Sequence, residues 1–435
     1  MRPLLLAHIV IAAAIPAAAD TVRLDADRAV ELALESSSRL AAADARIDAA
    51  DARVESADAE QRPVVSALGS VAYRSAVDEL MAPLDPGGSP IVLFPNIQET
   101  ASVGLRLEQP LYLGGAIDAS RRAVRDDRSG IEADRSALRA DIELEARTAY
   151  WSTVAARAAV DAARADVERA ARLAADVAAL RDAGMAVHAE VLAADARVAA
   201  ARLRRVDAQA DSADAEARLR SLLGRPAGDE LELSDRGSAP PPPPPAELLQ
   251  EEALHHRPEL VALAARIDSV EERQEAARAG SRPRVSGVAG WDLARPNQRH
   301  LPLRDEWDDS WSVGVNASWT LFDGHRTGAR VAELEAQRSA LESELAELER
   351  RVRLDVELAR TRLASVLEAA RAAEASRRAA AAREEAERDR LSAGMATVSD
   401  LLDAQSELAA AEQELVATRA RARIAAAALV RAVGR

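Results

Sequence analysis

The feature that most restricts the fold of this chain is a duplication. Ala45-Arg46-Ile47-Asp48 returns as Ala265-Arg266-Ile267-Asp268, and Arg62-Pro63 returns as Arg282-Pro283, both 220 residues later. Ala183-Gly184-Met185-Ala186 returns as Ala393-Gly394-Met395-Ala396, and Gly224-Arg225 as Gly434-Arg435, both 210 residues later. A chain with such internal similarity is built from two copies of one structural unit. The copies are read as 20–238 and 247–435, the first carrying ten extra residues between its Arg-Pro and its tip glycine. Between them, 239–246 contains the unbroken run Pro240 to Pro245, an extended polyproline linker.

Residues 1–19 read as a cleavable secretory signal: Arg2, an apolar run from Leu4 to Ala18, and small residues at Ala17 and Ala19. The run is shorter than the roughly 20 apolar residues of a transmembrane helix, and Asp20 follows it at once. The mature chain is expected to begin near Asp20, outside the cytoplasm. With no cysteine there is no disulfide framework, no thiolate metal site and no thiol to carry a lipid. A formal charge of −15 argues against nucleic acid as a partner.

Within each copy the hydrophobic period switches in the same order. An alanine-rich helical segment comes first, 28–61 and then 248–279. Strict alternation follows at Val65, Ala67, Gly69, Val71 and Tyr73, and again at Val285, Gly287, Ala289, Trp291 and Leu293. A second alternating run runs through Val103, Leu105 and Leu107, matched by Trp311, Val313, Val315, Ala317 and Trp319. Period two means strand, which predicts strands at about 64–74, 101–111, 284–294 and 311–321. These windows have the roughly 9–11 residues of a tilted membrane strand, with apolar faces fit for lipid and polar faces fit for a lumen. Tyr73, Tyr112, Trp291, Trp311, Trp319 and Phe322 fall in or beside them, as membrane-interface aromatics do. Four strands cannot close a barrel, and an open edge cannot face hydrocarbon, so chains would have to pool their strands.

Each strand pair is followed by a helix of some 65 residues with no proline, roughly 100 Å long at 1.5 Å per residue. In the second copy, Leu334, Leu341, Leu345, Leu348, Val352, Val356, Ala359, Leu363 and Val366 recur mainly at three and four residues, as in a coiled coil. Gly184 and Gly394 interrupt the helices and shorter ones return, which predicts helical hairpins at about 117–222 and 326–433.

Two copies of helix, strand pair, long helix, glycine turn and shorter helix resemble the TolC family of outer-membrane efflux proteins. The resemblance covers nearly all of the mature chain. It is carried by Arg257-Pro258-Glu259-Leu260, by Gln109-Pro110-Leu111-Tyr112 with Gly114-Gly115, by Leu321-Phe322-Asp323-Gly324, and by the tip at Gly394-Met395-Ala396-Thr397 leading into Asp400-Leu401-Leu402-Asp403. It implies a mainly α fold with a small β part, assembled as a homotrimer. Twelve strands would form a barrel in the outer membrane of a Gram-negative bacterium, continued by a long α-helical barrel in the periplasm. It implies an outer-membrane channel for tripartite efflux or type I secretion, with a periplasmic adaptor (membrane fusion protein) and an inner-membrane pump as partners. The tips at Gly184, Met185, Gly394, Met395 and Thr397 would dock the adaptor. Asp400 and Asp403, with Glu190 after the first tip, would form an acidic periplasmic gate; as ordinary first-turn acids the same residues would favour the helix dipole. Where some members carry an arginine and an aromatic that help hold the entrance shut, this chain has Ala396 and Leu391.

Nothing in the residues suggests an enzyme: no Gly-rich phosphate loop or serine elbow precedes a helix, and no cofactor or metal is expected. His255 and His256 point in different directions on a helix and lack a completing ligand. The alternative is a periplasmic adaptor or coiled-coil scaffold, which would not need duplicated hairpins and four strand windows carrying tryptophans.

Overall fold

The computed structural model describes residues 22–82, 90–234 and 239–435; the signal segment 1–19 lies outside them. In chain order the elements are β1 (Val22–Leu24), α1 (Ala26–Ser36), α2 (Ser38–Ala59), β2 (Val64–Tyr73), β3 (Leu80–Ala82), β4 (Ile91–Phe94), β5 (Glu99–Tyr112), α3 (Ala116–Asp182) and α4 (His188–Leu222). They continue with β6 (Leu231–Leu233), α5 (Ala246–His256), α6 (Pro258–Arg278), β7 (Arg284–Arg295), β8 (Asp308–Ser318), α7 (Arg326–Ser392) and α8 (Val398–Val433). The protein is mainly helical with a small β part. Among the described residues no helix is long and apolar enough to cross a membrane.

The chain divides into two compact units. One comprises the described residues up to Ala42 with Ser136–Arg257 and Arg350–Arg435; the other comprises Ala43–Arg135 and Pro258–Glu349.

The first unit is helical apart from the parallel pair β1–β6. One apolar cluster in it joins Leu24, Val30, Leu32 and Leu40 to Ile142, Tyr150, Leu219 and Leu231. Tyr150 is fully buried, and its hydroxyl lies 3.1 Å from the Leu24 carbonyl and 2.5 Å from that of Ser234. A phenol buried on these terms keeps a hydrogen-bond partner. The two copies repeat one joint here. A side chain at Gly224 would strike Ser36, and one at Gly434 would strike the backbone of His256 and Arg257, so each returning helix ends against the break between the first two helices of its copy. Arg257 donates from Nε to the Ala432 carbonyl at 2.7 Å, satisfying one of the terminal carbonyls a helix leaves open.

The second unit holds a four-stranded antiparallel sheet in the order β2-β5-β7-β8. The first copy supplies two neighbouring strands and the second copy the other two. In the same unit two helices pack closely on each other: a side chain at Gly130 of α3 would come within 3.3 Å of the Ala262 carbonyl of α6. Arg122–Glu272, Arg266–Asp134 and Arg273–Asp127 tie the same two helices by ion pairs.

β8 ends at Ser318, earlier than the window 311–321, because its partner β7 begins at Arg284, opposite Ser318. Beyond that point no ladder is left to join, and Trp319 turns its ring N–H to the Ser281 carbonyl at 3.0 Å.

Candidate functional site

Two regions answer to the residues singled out above: the sheet and the helical tips. In the sheet, register decides what each face presents. Val65 pairs with Leu107, Leu107 with Ala289 and Ala289 with Val313; Ala67 pairs with Leu105, Leu105 with Trp291 and Trp291 with Trp311. Successive side chains alternate between faces, so these rows share one face. The rows between them, such as Ser66, Arg106, Gly290 and Ser312, share the other. The apolar face is open: Val71, Trp311 and Val313 are 87%, 70% and 74% exposed. Tyr73, Tyr112, Trp319 and Phe322 are exposed as well, and Trp291 is the most covered of the six predicted interface aromatics. Tyr73 donates to Gln98 at 2.7 Å, and Phe322 meets His325 edge-on. An apolar patch of this extent on a soluble surface marks contact with lipid or protein.

The tips follow from glycine. The N–H of Met185 reaches back to the Leu180 carbonyl and that of Met395 to the Arg390 carbonyl, each at 2.8 Å. That closure places a left-handed residue at the helix end, and Gly184 and Gly394 supply it with φ of 78° and 70°. Met185 and Met395 stand exposed beyond them.

The returning helices then start by the same device with different completeness. Asp400 accepts from the Thr397 N–H at 2.8 Å and from its hydroxyl at 2.7 Å, while the Asp400 N–H donates back to that hydroxyl at 3.3 Å. This is a closed capping box. The hydrogen bonds from the Thr397 hydroxyl and backbone hold the Asp400 carboxyl below the ordinary aspartate value. Glu190, at the matching place, accepts from the Val187 N–H at 2.9 Å, but valine has no hydroxyl to complete the box. Both predicted gate residues at the third helical position are therefore engaged with their own turns. Asp403 sits one turn further on, exposed and outside the cap; the nearby Arg383 is paired with Glu407 at 2.5 Å.

Sequence reasoning passed over two further groups in the helical unit. Asp166 of α3 is buried and accepts from both terminal nitrogens of Arg197 of α4, at 2.6 and 3.1 Å, and from Arg204 at 3.0 Å. Burial pushes its carboxyl up, yet the arginine hydrogen bonds outweigh that and leave it below the ordinary value. Val398 and Leu401 of α8 are buried among Leu173, Val177, Val191 and Ala194 of the first hairpin. The one signal for the latter was their spacing of three, directly after a predicted tip. Among the described residues no cluster of His, Cys, Asp or Glu is arranged to hold a metal ion, and His256 turns its Nδ1 to the Glu252 carbonyl at 2.9 Å.

A family model described as outer membrane efflux protein matches residues 29–225 and 249–435. No match is found among curated proteins. Among solved structures, the outer-membrane channel OprN is 24% identical, with a TM-score of 0.76, covering 94% of this chain and 89% of that one. The outer membrane protein VceC of Vibrio cholerae is 19% identical with a TM-score of 0.76, covering 94% and 96%. The open state of the MtrE outer membrane channel of Neisseria gonorrhoeae is 18% identical with a TM-score of 0.75, covering 94% and 88%. These likenesses extend over nearly the whole fold.

Proposed function

We propose that this chain, which belongs to the outer membrane efflux protein family and forms an outer-membrane efflux channel, works as a homotrimer whose three sheets close one twelve-stranded barrel. The observation that carries this is the open four-stranded sheet: one face is apolar and exposed, and both edges, β2 and β8, are unpaired among the described residues. In hydrocarbon an open edge leaves backbone groups unsatisfied. The β8 edge of one copy would pair with the β2 edge of the next. On the helices, α4 supports the same reading. Leu192, Ala196, Ala199, Leu203, Val206 and Ala210 recur at alternating spacings of four and three, and all are exposed. Such a seam is built for another helix.

The exposed tips, with Met185 and Met395 at their ends and Thr397 beginning the next turn, would receive a periplasmic adaptor, and through it an inner-membrane pump of a tripartite efflux or type I secretion system. Asp403 is the acidic residue best placed to give the periplasmic entrance its charge, because Asp400 and Glu190 already cap helices. Three copies would bring such carboxylates together, and a ring of them favours cations over anions. Residues 1–19 would be removed on export, leaving two copies at 20–238 and 247–435 joined by 239–246. The adaptor or scaffold alternative is not favoured, since the family match runs through both copies.

The test is extraction of outer-membrane fractions in mild detergent, with the mass of the particle measured by light scattering, followed by conductance in planar bilayers. Three chains forming a conducting pore support the reading. A soluble monomer without conductance sinks it.

A further inference from the structure

We propose that a pocket beside the proline linker binds a small organic anion, a carboxylate on an apolar body. The pocket holds about 400 Å³ and lies within the helical unit, between α3, α7, α8 and the start of the linker. Ala155 and Ala158 of α3, Leu367 of α7 and Val416 of α8 give it apolar walls, and Pro240 of the linker closes one side. Its polar groups are two arginines of α8, Arg419 and Arg423, and among the described residues no acid lines it. Sites for small ligands have this make-up, apolar walls with a few polar groups, and volumes of roughly 300–1,000 Å³.

The linker is a fixed wall. A polyproline helix repeats every three residues, and along it Pro240, Pro243 and Ala246 are half-buried while Pro241, Pro242, Pro244 and Pro245 are exposed. One of its three ridges therefore lies on the protein. Pro245 has φ −54° and ψ 147°, and Arg360 of α7 donates from Nε to the Pro244 carbonyl at 2.8 Å, which fastens the run in place. A wall ordered before the ligand arrives loses little entropy when the ligand binds.

Arg423 sets the sign of the charge. Its guanidinium carbon lies 3.9 Å from the centre of the Trp151 ring. Stacking engages the flat face of the guanidinium and directs its N–H donors edgewise, as the fork that grips a carboxylate. Arg419 donates to Glu374 of α7 at 2.7 Å, an exposed pair that adds less. An apolar cation would meet like charge here, and an inorganic anion would leave the alanine and valine walls unused. A carboxylate carrying rings or a short chain satisfies both. The site has no twin in the other copy, because at the 210-residue offset Trp151 corresponds to Thr361 and Arg423 to Ala213.

Isothermal titration of the purified protein with naphthoate, detergent matched in cell and syringe, tests the proposal. Saturable binding of one naphthoate per chain is expected, and none of naphthylmethylammonium, which has the same rings and a positive charge. Arg423→Gln is expected to weaken naphthoate binding by about tenfold or more. Ala158→Leu, which fills the pocket and keeps the arginine, is expected to abolish it. Helical circular dichroism checks that each variant is folded; should Arg423→Gln fail to fold, Ala158→Leu and the cation decide. Naphthoate that does not saturate, that binds folded Arg423→Gln or Ala158→Leu as tightly as the unaltered protein, or that the cation equals in affinity overturns the site.

Discussion

At matched places in the two hairpins, 210 residues apart, Asp166 corresponds to Ser376, Arg169 to Ala379, Arg197 to Glu407 and Arg204 to Glu414. In the first hairpin Asp166 and Arg197 form a buried ion pair between α3 and α4, joined by the partly exposed Arg204, while Arg169 pairs with Glu412 of α8. In the second their counterparts line a groove of about 490 Å³ with Ala380, Arg383, Ala410 and Ala411. The tips beyond them close alike through Gly184 and Gly394. Backbone geometry has been kept between the copies while the polar interior has not. A buried pair is costly to assemble but costlier to break, since the partner left behind is an uncompensated charge. The first hairpin therefore holds its helices by a buried ion set, whereas the second ties α7 to α8 by the exposed pairs Arg383–Glu407 and Arg419–Glu374.

The largest expected difference lies inside the hairpins. Asp166→Ala strands the buried Arg197 guanidinium and is expected to lower unfolding stability by about 3–5 kcal/mol, whereas Ser376→Ala should stay within about 0.5 kcal/mol. Urea unfolding in detergent, followed by helical circular dichroism, measures both; equal losses would erase the distinction between the hairpins. At the tips the copies should instead agree. Gly184→Ala and Gly394→Ala place a side chain in the left-handed region with open space around it, and each is expected to cost about 1–2 kcal/mol. A large disparity between them in the same assay would mean that the turns are not equivalent.

The helix starts should part again, by less. Thr397→Ala removes the hydroxyl of a closed capping box and should cost about 1 kcal/mol, while Val187→Ala should change stability by no more than about 0.5 kcal/mol. Amide exchange in the first turn of α8 against that of α4 resolves the two. The smallest effect concerns acid. A carboxyl whose folded value is depressed contributes stability above its unfolded value, about 3.9 for aspartate, and loses it as pH falls through the folded one. The first turn of α8 should accordingly fray below about pH 4, and Asp400→Asn should remove that dependence; an unchanged acid profile in the variant would detach the cap from Asp400.

Much of the fold was legible because duplication prints every signal twice. The Ala-Gly-Met-Ala turns located both tips, since few residues besides glycine adopt positive φ without strain. Strict alternation from Val65 and from Val285 falls within β2 and β7, because a sheet with one apolar face imposes period two. Other features left no such trace. β1 and β6 are three residues each and pair across the length of the first copy, too short for any period. Nothing in the sequence around Asp166 separates it from a solvated acid on a helix, and its burial depends on where Arg197 of another helix falls. Asp400 looked equally fit for a cap or a lumen, and only the Thr397 hydrogen bonds assign its oxygens.

The order β2-β5-β7-β8 also bears on how the chain is made. Its central pairing joins Ala101 to Arg295, so the sheet waits for residues synthesised long after its first two strands. Pairings of that separation form slowly. Until β7 arrives, β5 offers an unpaired edge beside an apolar face, the combination most prone to sticking to other chains. Overproduction of a chain of this design should therefore raise the share of aggregate over folded protein.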